Sequence, residues 1–161
     1  MGTIVVGFDG SEQSLCALRW AVEEAKFRKS QLRIVSVWDI PFNHVSEGDL
    51  RPYDQVESQT KEALEFALEA EVKDEAIRGA IERGVVNGSP TKTLLAESET
   101  AELLVVGSSG SGALRTLVFG STALELVKHA RCAVVAIPSQ VSDLSVEAAL
   151  GSRNGTKRPG E

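Results

Sequence analysis

Residues 103–122 read LLVVGSSGSGALRTLVFGST, and the order of residue types along them decides the fold. Leu103-Leu104-Val105-Val106 is a short apolar run of the kind that forms a strand buried on both faces. The run stops at Gly107, passes through a stretch rich in glycine and serine, and re-enters a helical pattern at Gly120-Ser121-Thr122. Strand, loop and helix in that order belong to an α/β chain. They also make a place to hold an anion. Glycines allow backbone N–H groups close to a ligand, and a helix start adds unbonded donors and the positive end of a dipole. A nucleotide phosphate chain is the natural guest.

Working outward, the same alternation recurs. Thr3–Phe8 (TIVVGF) predicts a buried strand β1, ended by Asp9-Gly10-Ser11 with Ser11 placed to cap a helix over 12–29. Leu15, Leu18, Val22 and Ala25 carry its apolar stripe. Gln31–Trp38 predicts β2. Residues 39–54, with Pro41, Asn43, Gly48 and Pro52, predict an irregular loop of a length that often sits over a site. Leu64, Leu68 and Val72 predict a helix over 55–75, and a strand β3 is expected near Ala80–Val86, interrupted by Gly84 and closed by Asn87-Gly88. Ser89-Pro90 starts a helix running to about Glu99. Glu102–Val106 predicts β4, Phe119–Ala130 a helix, and Ala133–Ile137 a last strand, β5, stopped by Pro138. The expected fold is a doubly wound, five-stranded parallel sheet with helices on both faces and strand order 3-2-1-4-5. Ligands bind such sheets beyond the strand carboxyl ends, where the strand order reverses. The loops after β1 and β4 meet there. Residues 1–138 are expected to form one domain, and the polar, glycine-rich 139–161 a mostly disordered tail.

Composition narrows the function classes. The chain has 161 residues and a net charge of −6, against a general nucleic-acid binder, which needs a basic surface. No apolar run approaches a membrane span. The start MGTIVVGFDGS lacks a basic region before its apolar one, so no signal peptide is expected. Two cysteines, Cys16 and Cys132, give no disulfide framework, and a cytoplasmic home is expected. Two distant histidines, His44 and His129, make no zinc site with them and read as surface residues. Cys16 reads as a small core residue, and Trp20 and Trp38 as core or interface anchors.

The glycine loop is not a P-loop, because no lysine lies between Gly107 and Thr122. Nor is it a dinucleotide fingerprint, because Arg115 stands where the third glycine belongs. The spacing is Gly107-x2-Gly110-x9-Gly120-Ser121. Together with the opening IVVGFDGS and the ending AVVAIP, it resembles the universal stress protein family, in its ATP-binding branch, over Thr3 to Pro138. The resemblance implies a homodimer that binds ATP (or ADP or AMP) with Mg2+, the ion held mainly by phosphate oxygens and water. It implies that Gly107, Gly110, Gly120 and Ser121 surround the triphosphate and ribose, with Ser108, Ser109, Ser111, Gly112 and Ala113 in the same loop. Thr122 and Ala123 would open the helix beneath, Asp9 would lie beside the adenosine, and the Gly7 and Val37 backbones would contact it. Where the family often carries basic residues, this chain has Ser109 and Ser111, which weakens the electrostatic grip on phosphate and leaves Arg115 as the one cation of the loop.

Plainer roles stand beside these. Asp9 could serve only as a turn residue, and Ser121 or Thr122 only as a helix cap. No nucleophile–base–orienter set emerges, so at most slow ATP hydrolysis is expected. An interaction module of the same fold that binds no nucleotide is the alternative. The uncharged, apolar β5 would be an edge strand, which invites antiparallel pairing with a second copy about a two-fold axis. Val135→Pro would then shift the chain towards monomer.

Overall fold

The computed structural model describes residues 2–39, 51–109 and 120–138. Its sheet has five parallel strands in the order β3-β2-β1-β4-β5: β1 Thr3–Phe8, β2 Gln31–Trp38, β3 Glu82–Asn87, β4 Leu103–Gly107 and β5 Ala133–Ile137. The helices are α1 Glu12–Arg28, α2 Arg51–Glu71, α3 Glu75–Ala80, α4 Pro90–Glu97 and α5 Ser121–His129.

Alternation along β1 divides the core between the two faces. Ile4, Val6 and Phe8 join Leu18, Val22, Leu64 and Leu68 on the side of α1 and α2. Val5 joins Val35, Leu94, Leu104 and Leu126 on the side of α4 and α5. Because β1 and β4 are covered on both sides, their sequences are almost wholly apolar rather than alternating. Cys16 and Trp38 are buried, and Trp20 packs half-buried against the larger cluster, as their residue types suggested.

Three sequence expectations need correction. The loop read over 39–54 gives way to helix at Arg51, earlier than expected. Pro52 fits a first turn, where its missing N–H costs no helical bond. Tyr53 meets Trp38 edge-on, with ring centroids 6.1 Å apart, which ties this turn to the end of β2. The helix read over 55–75 ends at Glu71, and a separate short α3 follows. Asp74 separates them as an N-cap, its carboxylate accepting from Ala76 N at 2.9 Å and Ile77 N at 3.2 Å. Strand β3 lies one to two residues later than expected and runs through Gly84 without interruption.

Candidate functional site

Strand order reverses between β1 and β4: from β1 the chain returns through α1 to β2, and from β4 through α5 to β5. The two helices leave towards opposite faces, so a crevice opens at the carboxyl ends. Phe8 pairs with Ser36 and Val6 with Val105. Extending these registers sets Val37, Asp9 and Ser108 at one level across three neighbouring strands.

The turn after β1 is built locally. Asp9 Oδ1 accepts from Ser11 N at 2.9 Å, and Gly10 takes φ 79°, a left-handed conformation natural to glycine. Ser11 then caps α1, its Oγ accepting from Ser14 N at 3.2 Å. The exposed Asp9 thus has the turn role, and its second carboxylate oxygen accepts no hydrogen bond among the described residues.

Two site glycines have packing reasons for their bareness. A Cβ at Gly7 would lie 3.0 Å from Leu94 Cδ1 and 3.2 Å from Val106 Cγ1. A Cβ at Gly107 would lie 2.7 Å from Gln13 Cβ and 3.0 Å from Gln13 C. The first lets α4 approach the sheet; the second lets the first turn of α1 lie against the end of β4.

Gly120 is different. It is the N-cap of α5 at φ −60° and ψ 153°, a conformation open to any residue, and it provides no side-chain cap. Neither Ser121 nor Thr122 caps the helix; both lie inside its first turn. Ser11, Asp74 and Ser89 cap α1, α3 and α4 with side-chain oxygens. At α5 the N–H groups of Ser121, Thr122 and Ala123 have no acceptor among the described residues, the first bond closed being Leu124 N to Gly120 O at 3.0 Å. The mouth of the loop is pinned: Gly120 N donates to Ser108 O at 2.8 Å, and Ser108 N to Ile137 O at 2.8 Å. Ser109 is half-buried just beyond that pin. Gly110, Ser111, Gly112 and Ala113 lie outside the described residues, as does His44. Val37 is half-buried and packs towards the α4 and α5 face.

One neighbour was not foreseen. Thr91, in the first turn of α4, lies with its Oγ1 3.3 Å from Thr122 Oγ1. Ser89-Pro90 announced where α4 starts, but only the crossing of α4 over the sheet brings its start beside that of α5. A separate groove at the β3 edge, lined by Glu57, Lys61, Leu64, Glu65, Arg83 and Val85, has its charges paired internally, Lys61 to Glu57 and Arg83 to Glu65.

The sequence profile of the universal stress protein family matches residues 1–138. A universal stress protein of Mycobacterium tuberculosis strain H37Rv is 37% identical over 142 residues, which cover 88% of this chain and 50% of that protein. The chain spans about half the length of the curated relatives it matches. Among solved structures, the universal stress protein UspA from Lactobacillus plantarum superposes with a TM-score of 0.70 at 23% identity, over 84% of this chain and 97% of that one. A universal stress protein in complex with cAMP gives 0.61 at 24% identity, over 86% and 98%. At these identities the two structures speak to the fold. The profile, running from the first strand to the end of the last, shows that this chain belongs to the universal stress protein family.

Proposed function

We propose that the chain binds an adenine nucleotide, ATP foremost, at the carboxyl ends of β1, β2 and β4, and works as a homodimeric, nucleotide-dependent regulatory protein of the cytoplasm. The observation that carries this is α5. It opens on a bare Gly120 with uncapped N–H groups at the switch point, its start tied to the end of β4 through Ser108. Such a start has donors and a positive dipole end but no side chain of its own to meet them, which suits a phosphate. The first turns of α4 and α5 carry no acidic residue to repel one. That a family member was solved with cAMP supports an adenine ligand.

The proposed contacts are Gly107, Ser108, Ser109, Gly110, Ser111, Gly112, Ala113, Gly120, Ser121, Thr122 and Ala123 for phosphate and ribose. Asp9 and the backbones of Gly7 and Val37 serve the adenosine. Mg2+ accompanies the triphosphate on phosphate oxygens and water; no group of three or more His, Cys, Asp or Glu gathers among the described residues. Residues 1–138 form the binding unit, and 139–161 a polar tail outside the described residues. No helix among the described residues is long and apolar enough to cross a membrane.

Native mass spectrometry of the purified protein should show bound ATP, ADP or AMP, and titration calorimetry should show saturable binding. Gly120→Ala places a methyl at the proposed phosphate without straining the backbone, so it should weaken ATP at least about tenfold while leaving the melting temperature near wild type. Wild-type affinity in that variant would remove α5 from the site. A second reading, an interaction module that binds no nucleotide, gains from Gly7 and Gly107, whose bareness packing already explains. Absence of any nucleotide binding by the wild type would favour it. Phosphate release above that of the Gly120→Ala control would be required for slow hydrolysis.

A further inference from the structure

Among the described residues the large apolar side chains that stand exposed are Phe27, Phe66, Leu124 and Val127. Phe27 and Phe66 sit on different helices. Leu124 and Val127 share α5 and, three residues apart, are neighbours on its surface. That surface has a direction. Ala123 and Leu126 of α5 are buried, and Thr122 meets Thr91 of α4. At about 100° per residue, Leu124 and Val127 fall on the other side of the buried stripe from Thr122, away from α4. No further strand lies there, because β5 ends the sheet. An apolar shoulder therefore stands beside a sheet edge.

The described chain ends at Pro138, next to this shoulder. Ile137 O accepts from Ser108 N and Ser108 O from Gly120 N, so the end of β5 lies beside the start of α5. Leu124 is about 6 Å and Val127 about 10 Å further along the helix. Residues 139–150, SQVSDLSVEAAL, come next; they lie outside the described residues and beyond the family profile. Six residues of chain reach about 20 Å, enough to follow α5 from end to end. The segment carries Val141, Leu144, Val146 and Leu150, and its only charges are Asp143 and Glu147. Over 121–132 the one acid is Glu125, against Lys128 and Arg131 and, when protonated, His129. A chain leaving Pro138 along α5 thus meets an apolar surface first and a basic one beyond it.

We propose that residues 141–150 fold back on the shoulder formed by Leu124, Val127 and the outer edge of β5, with their acids turned to Lys128 and Arg131. The segment is then a ligand that the chain carries for itself. Burial of apolar side chains on both partners supplies the attraction, and tethering gives a high effective concentration at the shoulder. The segment holds the surface that the homodimer proposed above would use, so a second copy has to displace it; this competition rests on that homodimer reading.

Hydrogen exchange of the full chain, read by mass spectrometry, tests the docking. Amides of 141–150 should exchange at least about tenfold more slowly than those of 152–161. Val127→Asp, at an exposed position, and Leu144→Asp, beyond the family profile, should each abolish that protection and leave the melting temperature near wild type. Phe66→Asp should leave the protection intact. Light scattering over a dilution series reads the competition: Leu144→Asp, with its edge uncovered, should dimerise about tenfold more tightly than the wild type. Exchange of 141–150 at the rate of 152–161 in the wild type would overturn the docking. So would protection that survives both substitutions, or protection that appears only as the dimer forms, which would give the segment to the partner copy. Protection lost in both variants, with no dimer in any of the proteins, would support the docking and remove the homodimer.

Discussion

Gly7, Gly107 and Gly120 look alike in the sequence and do different things. At Gly107 the Cβ of alanine would meet Gln13 Cβ and the Gln13 backbone. The backbone of α1 cannot give way cheaply, so Gly107→Ala should destabilise the fold by about 1–3 kcal/mol, read as a lower midpoint in urea. Gly120→Ala should separate from it by losing nucleotide without losing stability. The spacing of the glycines was legible in the chain, because it is a local pattern. Which of them is bare for a helix and which for a ligand was not, because Gln13 lies far from Gly107 in sequence. Asp9 was legible as a turn residue from Asp-Gly-Ser alone, and its bond to Ser11 N is that turn. Thr91 was not legible as a neighbour of Thr122, since nothing local links residues thirty-one apart.

Among the elements, helix starts were read well where a side chain announces them. Ser11 and Ser89 cap as expected, but Asp74 was hidden in a Glu-rich run that reads as one continuous helix. The break after Glu71 matters because it sets where α2 meets α1. Arg19 donates to both Glu71 oxygens, Nη2 to Oε1 at 3.0 Å. That guanidinium holds the Glu71 carboxyl below its ordinary range, against the smaller opposing push of burial. A carboxyl whose folded pKa is lowered contributes its stabilisation above the unfolded value and loses it as pH falls through the folded one. Glu71→Gln should therefore be less stable than the wild type at neutral pH. The gap should be no more than about 1 kcal/mol, because Arg19 is half exposed to solvent. It should close as pH falls through the lowered carboxylate range, which urea denaturation at a series of pH values would show. A gap that persists at the acid end would mean that glutamine disturbs packing rather than charge.

At the level of the whole molecule, β4 and β5 are the telling pair. Both are short apolar runs, yet Leu103, Leu104, Val105 and Val106 are buried while no residue of β5 is. β5 is an edge, and beside it Leu124 and Val127 of α5 are 43% and 56% exposed. A second copy paired along that edge would cover this surface, in keeping with the proposed homodimer. The ladder also corrects the choice of test. Ile137 O accepts from Ser108 N, so Ile137 and, by the alternation of a parallel ladder, Val135 direct their backbone groups to β4. Val135→Pro would break the sheet itself. Val134 and Ala136 present theirs outward, so Ala136→Pro should leave the fold intact and halve the mass seen by light scattering. A dimer that survives it would move the interface elsewhere. What the sequence by itself determined was the order of strands and helices, most of their ends, and the family, because these follow from residue periodicity and glycine spacing along the chain. Only the tertiary structure decided which glycine yields to a neighbouring helix, and that the starts of α4 and α5 share one corner. Those depend on contacts between residues far apart in sequence, which no local pattern encodes.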